Sequence, residues 1–204
     1  MVAFEGPNEV GKTTVSRELA HQLSASGRSC EWHAFPGRSP GTLGQHIYDL
    51  HHRPASFGLG EVAPSAIQAL HIAAHLDAIE RTILPKLAAG VDIVLDRYWW
   101  STIAYGVATG VPSRLLDSLV ASELIAWNGL QPTLVVVLDR SFAKPRSQER
   151  SCADVLQREY RRLLEAAGGR HAACFVDNNG TVEQTVAGVA DLLGRLNTPV
   201  GDVE

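Results

Sequence analysis

Short apolar runs alternate along the chain with longer stretches in which apolar residues recur every three or four positions. The runs are too short for helices, and their continuous hydrophobic character is typical of strands buried on both faces of a sheet. We predict five such strands, at Val2–Phe4, Cys30–Phe35, Val91–Leu95, Thr133–Leu138 and Ala172–Val176.

The stretches between these runs predict amphipathic helices. A helix follows the first strand, and Gly27 is expected to end it because glycine readily adopts the left-handed conformation found after helices. A long helix begins near Pro64, and Pro85 should bend it or end it early. The last helix should begin at a capping box formed by Thr181 and Gln184.

Strands that alternate with helices predict an α/β fold, namely one domain over residues 1–204 with a five-stranded parallel sheet and helices on both faces. Ligands in such folds bind beyond the carboxyl ends of the strands. Polar pairs follow three strands directly, at Glu5–Gly6, Asp96–Arg97 and Asp139–Arg140, so we expect the functional site at that edge. We interpret Ser39–Gly60 and the basic segment 140–150 as surface excursions.

Composition narrows the functional classes. A net charge of −4 provides no broad basic surface for duplex nucleic acid. Three widely spaced cysteines, Cys30, Cys152 and Cys174, argue against a disulfide framework and favour a reducing compartment. We expect no leader peptide before the first predicted strand. No apolar stretch of the sequence is long enough to cross a bilayer. We therefore expect a cytoplasmic protein that does not bind membranes.

The segment after the first strand reads GPNEVGKT and matches the phosphate-loop (Walker A) pattern G-x-x-x-x-G-K-[ST]. Its glycines permit a turn whose amide groups form a nest for phosphate oxygens, and the following helix adds its positive end. The lysine supplies a cation for the terminal phosphates, and the threonine hydroxyl supplies a ligand for Mg²⁺. We predict that ATP and Mg²⁺ bind here through Gly6, Asn8, Glu9, Val10, Gly11, Lys12, Thr13 and Thr14.

Three further motifs specify the kind of phosphate chemistry. Phe4-Glu5-Gly6 precedes the loop, Phe35-Pro36-Gly37-Arg38-Ser39 follows the second strand, and Asp96-Arg97-Tyr98 follows the third, with Ser101 and Tyr105 after it. In order and spacing these motifs resemble thymidylate kinases, which are nucleoside monophosphate kinases with the three-layer P-loop kinase fold. The resemblance covers most of the chain and extends to Val176-Asp177-Asn178-Asn179 near the end.

The resemblance implies roles for individual residues. Arg38 would bind the phosphate of the acceptor nucleotide, Arg97 would lie between acceptor and donor phosphates, and Asp96 would help Thr13 hold Mg²⁺. Asn178 and Asn179 would lie near the adenine of ATP. The acceptor would also be contacted by Glu5, Asn8, Phe35, Tyr98, Ser101 and Tyr105.

The segment at about 140–150 would be a short lid that closes over ATP. Because the phosphate loop has no arginine, a cation for the transferred phosphoryl group would come from this lid. The candidates are Lys144, Arg146 and Arg150, with Arg146 favoured because it lies fourteen residues before Tyr160. The lid is about half the length that we expect from the family.

Three positions depart from the family's acceptor pocket. Asn8 stands where a carboxylate usually meets the sugar hydroxyl. His71 and His75 stand where the family has a phenylalanine that stacks on thymine and an arginine that contacts the base. One helical turn separates the two histidines, so they share a face and could contact a different or modified base.

The expected function is therefore ATP- and Mg²⁺-dependent phosphorylation of a pyrimidine nucleotide such as dTMP or a modified analogue, by a homodimer as in the family. Two alternatives remain open at this point. A kinase that phosphorylates a hydroxyl of a nucleoside or a modified base could use Glu5 as its base. The second alternative is a regulatory protein that binds a nucleotide through the phosphate loop and catalyses no phosphoryl transfer.

Overall fold

The computed structural model describes residues 1–140, 147–167 and 172–197. Five strands form one parallel sheet in the order β2-β3-β1-β4-β5, which confirms the predicted fold class. Four of them extend to an acidic residue at the carboxyl edge that the apolar runs did not include. Their bounds are β1 Val2–Glu5, β2 Cys30–Ala34, β3 Asp92–Asp96, β4 Leu134–Asp139 and β5 Ala172–Asp177.

Helices connect the strands and cover both faces of the sheet. They are α1 Lys12–Ala25, α2 Leu43–His52, α3 Pro64–Ala78, α4 Leu84–Ala88, α5 Trp100–Ala108, α6 Ser113–Ala126, α7 Ser147–Ala167 and α8 Val182–Asn197. Among the residues that the structure describes, no helix is long and apolar enough to cross a membrane.

Alternate residues of the central strands face two separate apolar layers. Ala3 of β1 and Leu95 of β3 belong to the layer formed with α5, α6 and α7. Val2 and Phe4 of β1 belong to the layer formed with α1 and α8. Both faces are therefore buried, which explains why the strands read as continuous apolar runs in the sequence.

The long helix predicted from Pro64 is distorted near Pro85 rather than ended there. α3 continues through one wide π-helical turn, Ile79–Ile83, into α4. Proline lacks an amide hydrogen and crowds the carbonyl four residues earlier, and a widened turn accommodates both effects. Ile79 and Ile83 are buried, so the turn also places two core residues.

The predicted helix ends are confirmed. Gly27 has a φ of 88° just after α1, and its amide bonds back to Ser24. The Thr181 hydroxyl accepts from the Gln184 amide at 3.3 Å, while the Gln184 side chain accepts from the Thr181 amide at 3.0 Å. These reciprocal bonds form the capping box at the start of α8.

The segment Ser39–Gly60, interpreted as a surface excursion, is mostly exposed and contains a helix, α2. The Thr42 side chain caps α2 by accepting from the Gln45 amide at 3.2 Å, and the Gln45 side chain accepts from the Gly41 amide at 3.0 Å. Threonine followed three residues later by glutamine is a helix-start signal that the sequence contained.

Candidate active site at the carboxyl edge of the sheet

The phosphate loop joins β1 to α1 and is packed too closely for side chains at its two glycines. Gly6 has a φ of 132°, and a Cβ there would lie 2.2 Å from the Leu138 carbonyl oxygen of β4. Gly11 has a φ of 93°, and a Cβ there would lie 2.4 Å from Nδ2 of the Asn178 side chain. The loop is thus fixed from behind by β4 and by the segment after β5.

Lys12 begins α1 and is almost fully buried beneath the loop, where its ammonium group donates to the Pro7 carbonyl. Burial, reinforced by the charge of Arg97, lowers the pKa of Lys12 to about 7, although Asp96 and Glu5 oppose that shift. An anion that enters the loop would restore the charged form of this lysine.

Thr13 and Asp96 are brought together from α1 and β3. The Thr13 hydroxyl donates to Asp96 Oδ2 at 2.5 Å. A hydroxyl beside a carboxylate at a phosphate nest is an oxygen donor set that suits Mg²⁺. These residues fit the magnesium site that the sequence predicts.

Asn178 braces the loop with both ends of its side-chain amide. Its nitrogen donates to the Val10 carbonyl at 2.7 Å, and its oxygen accepts from the Thr185 hydroxyl at 2.7 Å. The side chain is buried behind the loop, and its contact with adenine stays a prediction. Asn179 is half-buried, and its contact with adenine stays a prediction.

Glu5 ends β1 and is completely sealed from solvent. One carboxylate oxygen accepts from the amides of Tyr98 and Ser101 at 2.8 and 3.0 Å, and the other accepts from the hydroxyls of Ser101 and Tyr160 at 2.6 and 3.2 Å. Burial raises the pKa of Glu5, against the opposing influence of Arg97 and these bonds. The carboxylate therefore ties β1, α5 and α7 together below the site.

Arg97 occupies the centre of the edge, with a left-handed φ of 84°. Its guanidinium donates to Ser101 Oγ at 2.9 Å, to Asn8 Oδ1 at 2.5 Å and to the Tyr105 hydroxyl at 3.4 Å. The Tyr105 hydroxyl also donates to Asn8 Oδ1 at 2.9 Å. The structure thus joins four residues that the sequence assigned to one site.

Arg38 lies in the loop that follows the carboxyl end of β2. Its guanidinium carbon lies 4.5 Å from the centre of the Tyr48 ring, which stacks on His52 at 4.0 Å. Within the described part of the chain, no carboxylate lies at ion-pair distance from Arg38, Arg97 or Lys12. Three cations without acidic partners make this edge a site for an anion.

The two histidines of α3 have different surroundings. His71 Nε2 lies 3.1 Å from His51 Nδ1, and burial, together with the charges of His75, His51 and His52, lowers the pKa of His71 to about 3. Over the described residues, no group of three or more His, Cys, Asp or Glu side chains is arranged to hold a metal ion.

His75 is buried one turn further along α3, where its ring stacks on Phe35 with 4.4 Å between centroids. Its Nδ1 lies 2.7 Å from Glu123 Oε2. Sequence reasoning missed Glu123, although a signal was present. Glu123 falls in the apolar stripe of α6 with Leu116, Val120 and Trp127, all three or four residues apart and all buried.

The remaining predicted residues are distributed around the loop. Glu9 is exposed with a φ of 66°, Val10 and Tyr98 are buried, and Thr14 lines an open groove of about 530 Å³ with Thr13, Arg17 and Val182. The described part of the chain does not include Lys144 and Arg146, nor the side chain of Arg150.

A parallel sheet with a phosphate loop after its first strand and unpaired cations at the same edge defines a P-loop nucleotide kinase. The family model for thymidylate kinase matches residues 4–188. The chain belongs to the thymidylate kinase family, which consists of phosphotransferases that act on nucleoside monophosphates.

Individual relatives agree with this family. The chain is 34% identical over 149 residues to the thymidylate kinase of Clavibacter sepedonicus, an alignment that covers 71% of this chain and 65% of that relative. It is 28% identical over 213 residues to the thymidylate kinase of Bifidobacterium longum subsp. infantis, an alignment that covers 100% of this chain and 90% of that relative. The crystal structure of thymidylate kinase from Ehrlichia chaffeensis shares the fold, with a TM-score of 0.73 and 19% identity over 94% of this chain and 97% of that one.

Proposed function

We propose that the protein transfers the γ-phosphoryl group of ATP to the phosphate of a pyrimidine nucleotide, such as dTMP or a modified analogue, with Mg²⁺ as cofactor. The observation that carries this proposal is the set of unpaired cations at the carboxyl edge, Lys12, Arg38 and Arg97. One anionic substrate would occupy the phosphate loop, and the position of Arg38 outside the loop suits a second one.

The donor half of the site is formed by the phosphate loop. Its amide groups and the positive end of α1 would hold the β- and γ-phosphates of ATP, and Lys12 would regain its charge against them. Thr13 and Asp96 would hold Mg²⁺, which when bound neutralises charge on the transferred group.

The acceptor half lies on the other side of Arg97. Arg38 would bind the acceptor phosphate as a bidentate donor. Arg97 is already oriented by Asn8, Ser101 and Tyr105, so it would stabilise charge on both phosphates with little reorganisation. An acceptor phosphate oxygen is already ionised, so its bond to the γ-phosphorus forms as the bond from that phosphorus to ADP breaks, and no general base is required.

The alternative of a hydroxyl kinase depends on Glu5 as a base. Glu5 is sealed from solvent, and its two oxygens accept hydrogen bonds from the Tyr98 amide, the Ser101 hydroxyl and the Tyr160 hydroxyl. The alternative of a non-catalytic regulator is disfavoured by the joint presence of Lys12, Asp96 and Arg97. The burial of Glu5 favours phosphate over a hydroxyl as the acceptor group. The retained Lys12, Asp96 and Arg97 favour catalysis over regulation alone.

We also propose that the protein forms a homodimer in the cytoplasm. Exposed apolar side chains on α6, with Ile125 79% exposed and Leu124 beside it, are consistent with a subunit contact. The three unpaired cysteines fit a reducing compartment.

A coupled ADP-release assay tests the proposed activity. ATP, Mg²⁺ and a panel of nucleoside monophosphates and the matching nucleosides are compared for the wild type, Lys12→Ala, Arg38→Ala and the matched control Arg53→Ala, which removes an exposed arginine at the end of α2. We expect turnover of at least one pyrimidine monophosphate, its loss in the first two variants and its retention in the third. Turnover of nucleosides alone that survives Arg38→Ala would refute the proposal.

A further inference from the structure

The position of Arg38, the residue that would bind the acceptor phosphate, depends on contact with an aromatic ring. Its side chain is exposed, and its guanidinium carbon lies 4.5 Å from the centre of the Tyr48 ring of α2. Within the described residues, no hydrogen bond or ion pair fixes the guanidinium group. The ring of Tyr48 is therefore the group that orients this arginine.

The loop that carries Arg38 lies directly against α2. A Cβ at Gly44, in the first turn of α2, would lie 2.6 Å from the Gly37 carbonyl oxygen and 3.0 Å from that of Pro36. Glycine at this position permits the backbone just before Arg38 to approach the helix closely. Tyr48 is four residues after Gly44, so it lies on the same face of α2, one turn further along. This arrangement explains why Arg38 reaches the Tyr48 ring.

The Tyr48 ring is itself held by His52, which lies a further turn along the same face. The two rings are stacked, with 4.0 Å between their centroids and 27° between their planes. His52 Nδ1 lies 2.9 Å from the Tyr48 carbonyl oxygen, and Nδ1 carries a hydrogen because a carbonyl oxygen can only accept. This bond forms whether the imidazole is neutral or charged. Tyr48 therefore presents an aromatic face of fixed orientation to Arg38.

The contact leaves Arg38 able to bind a phosphate. Arginine stacks on aromatic rings through the face of its guanidinium, and its N–H donors lie along the edges of that plane. A phosphate can accept from an edge while the contact with the ring is kept. The Tyr48 hydroxyl has no hydrogen-bond partner within the described residues, so the ring alone makes the contact.

We propose that Tyr48 is a positioning residue whose ring holds the Arg38 guanidinium in place for the acceptor phosphate. An arginine side chain loses rotamer freedom when it binds a phosphate, and the contact with Tyr48 removes part of that loss beforehand. The ring thereby strengthens the binding of a nucleoside monophosphate and leaves the ATP site unchanged. This inference rests on the proposed function, because it concerns the residue that would bind the acceptor.

The test compares Tyr48→Phe, which keeps the ring, with Tyr48→Leu, which removes it. The assay uses ATP, Mg²⁺ and the nucleoside monophosphate of the panel that is turned over fastest. In Tyr48→Leu we expect the KM for that acceptor to rise about threefold to tenfold, while kcat and the KM for ATP stay within about twofold of the wild type. Tyr48→Phe should match the wild type because the ring contact is kept.

A matched control makes the same kind of change at another aromatic residue near α2. Phe57 is exposed and follows α2 in the chain, so Phe57→Leu should leave both KM values unchanged. Tyr48→Met also removes the ring, with a side chain that favours helices, and it repeats the test if Tyr48→Leu does not fold.

Binding measurements separate the proposed role from a general effect on α2. Titration calorimetry with the same monophosphate and with its nucleoside requires no turnover. Tyr48→Leu should weaken binding of the monophosphate and leave binding of the nucleoside unchanged. In an Arg38→Ala background the same change should have no further effect on the monophosphate, because Tyr48 acts through Arg38.

Several results would overturn the inference alone. They are an unchanged acceptor KM in the folded Tyr48→Leu or Tyr48→Met variant, equal weakening of monophosphate and nucleoside binding, and losses that add in the double variant. A loss in Tyr48→Phe as large as that in Tyr48→Leu would assign the effect to the hydroxyl and would also overturn it. Absence of turnover with every monophosphate overturns both this inference and the proposed function.

Discussion

Replacing Asn178 by alanine should destabilise the protein through the phosphate loop. The change removes the donor to the Val10 carbonyl and the acceptor for the Thr185 hydroxyl, both at 2.7 Å in a buried position. The Val10 carbonyl left without its donor costs about 1–3 kcal/mol, and the Thr185 hydroxyl, which can still donate to the Thr181 carbonyl at 3.2 Å, loses about 0.5–1.5 kcal/mol. The two together predict a loss of roughly 1.5–4.5 kcal/mol. For a chain of 204 residues, at about 2–4 °C per kcal/mol, this corresponds to a fall in Tm of about 3–18 °C.

Urea unfolding and calorimetry of the nucleotide-free protein measure this loss directly. Thr185→Val keeps the volume of Thr185 and removes only its hydroxyl, so we expect about half the effect of Asn178→Ala. The KM for ATP should rise in Asn178→Ala because the loop loses its brace at Val10. A free energy of unfolding within about 0.5 kcal/mol of the wild type would refute the reasoning.

Two further predictions concern protonation. The pKa of Lys12 is lowered to about 7 by burial and by Arg97, so ATP binding at pH 8 should be accompanied by proton uptake. Calorimetry in buffers of different ionisation enthalpy should detect this proton in the wild type and not in Lys12→Met. The pKa of His71 is lowered to about 3, below that of the unfolded chain, so the unfolded state binds the extra proton and stability is lost as the pH falls below about 6.5. At pH 5 the His71→Phe variant should therefore lose roughly 1–2 kcal/mol less unfolding free energy than the wild type does. Equal loss of stability in acid for both proteins would contradict the lowered pKa of His71.

The sheet and the phosphate site were predictable from local patterns. The three central strands are buried on both faces and produce continuous apolar runs, whereas the edge strands β2 and β5 are only partly buried. All five could nevertheless be read from the sequence, and the comparison of folds confirms the class. The strand ends were less accurate. Glu5 and Asp96 stay in the ladder because their backbones pair with Val137 of β4 and Phe4 of β1, and an apolar run cannot show that.

Side-chain partners across the fold were less accessible to sequence reasoning. Asn178 lies behind the phosphate loop, and its partners Val10 and Thr185 come from different parts of the chain. Glu123 and His75 are 48 residues apart, and only the packing of α3 against α6 joins them. Pairs of this kind depend on three-dimensional contact and leave only a weak signal, such as one acid within an apolar stripe.

The central claim is that the acceptor of the phosphoryl group is itself a phosphate. ³¹P NMR of the reaction of ATP, Mg²⁺ and the best acceptor of the panel tests this claim most directly. The account predicts that the acceptor's single phosphorus resonance is replaced by the coupled pair of a diphosphate as ADP accumulates. A new monoester resonance beside an unchanged acceptor phosphate would show transfer to a hydroxyl and contradict the roles given to Arg38 and Arg97.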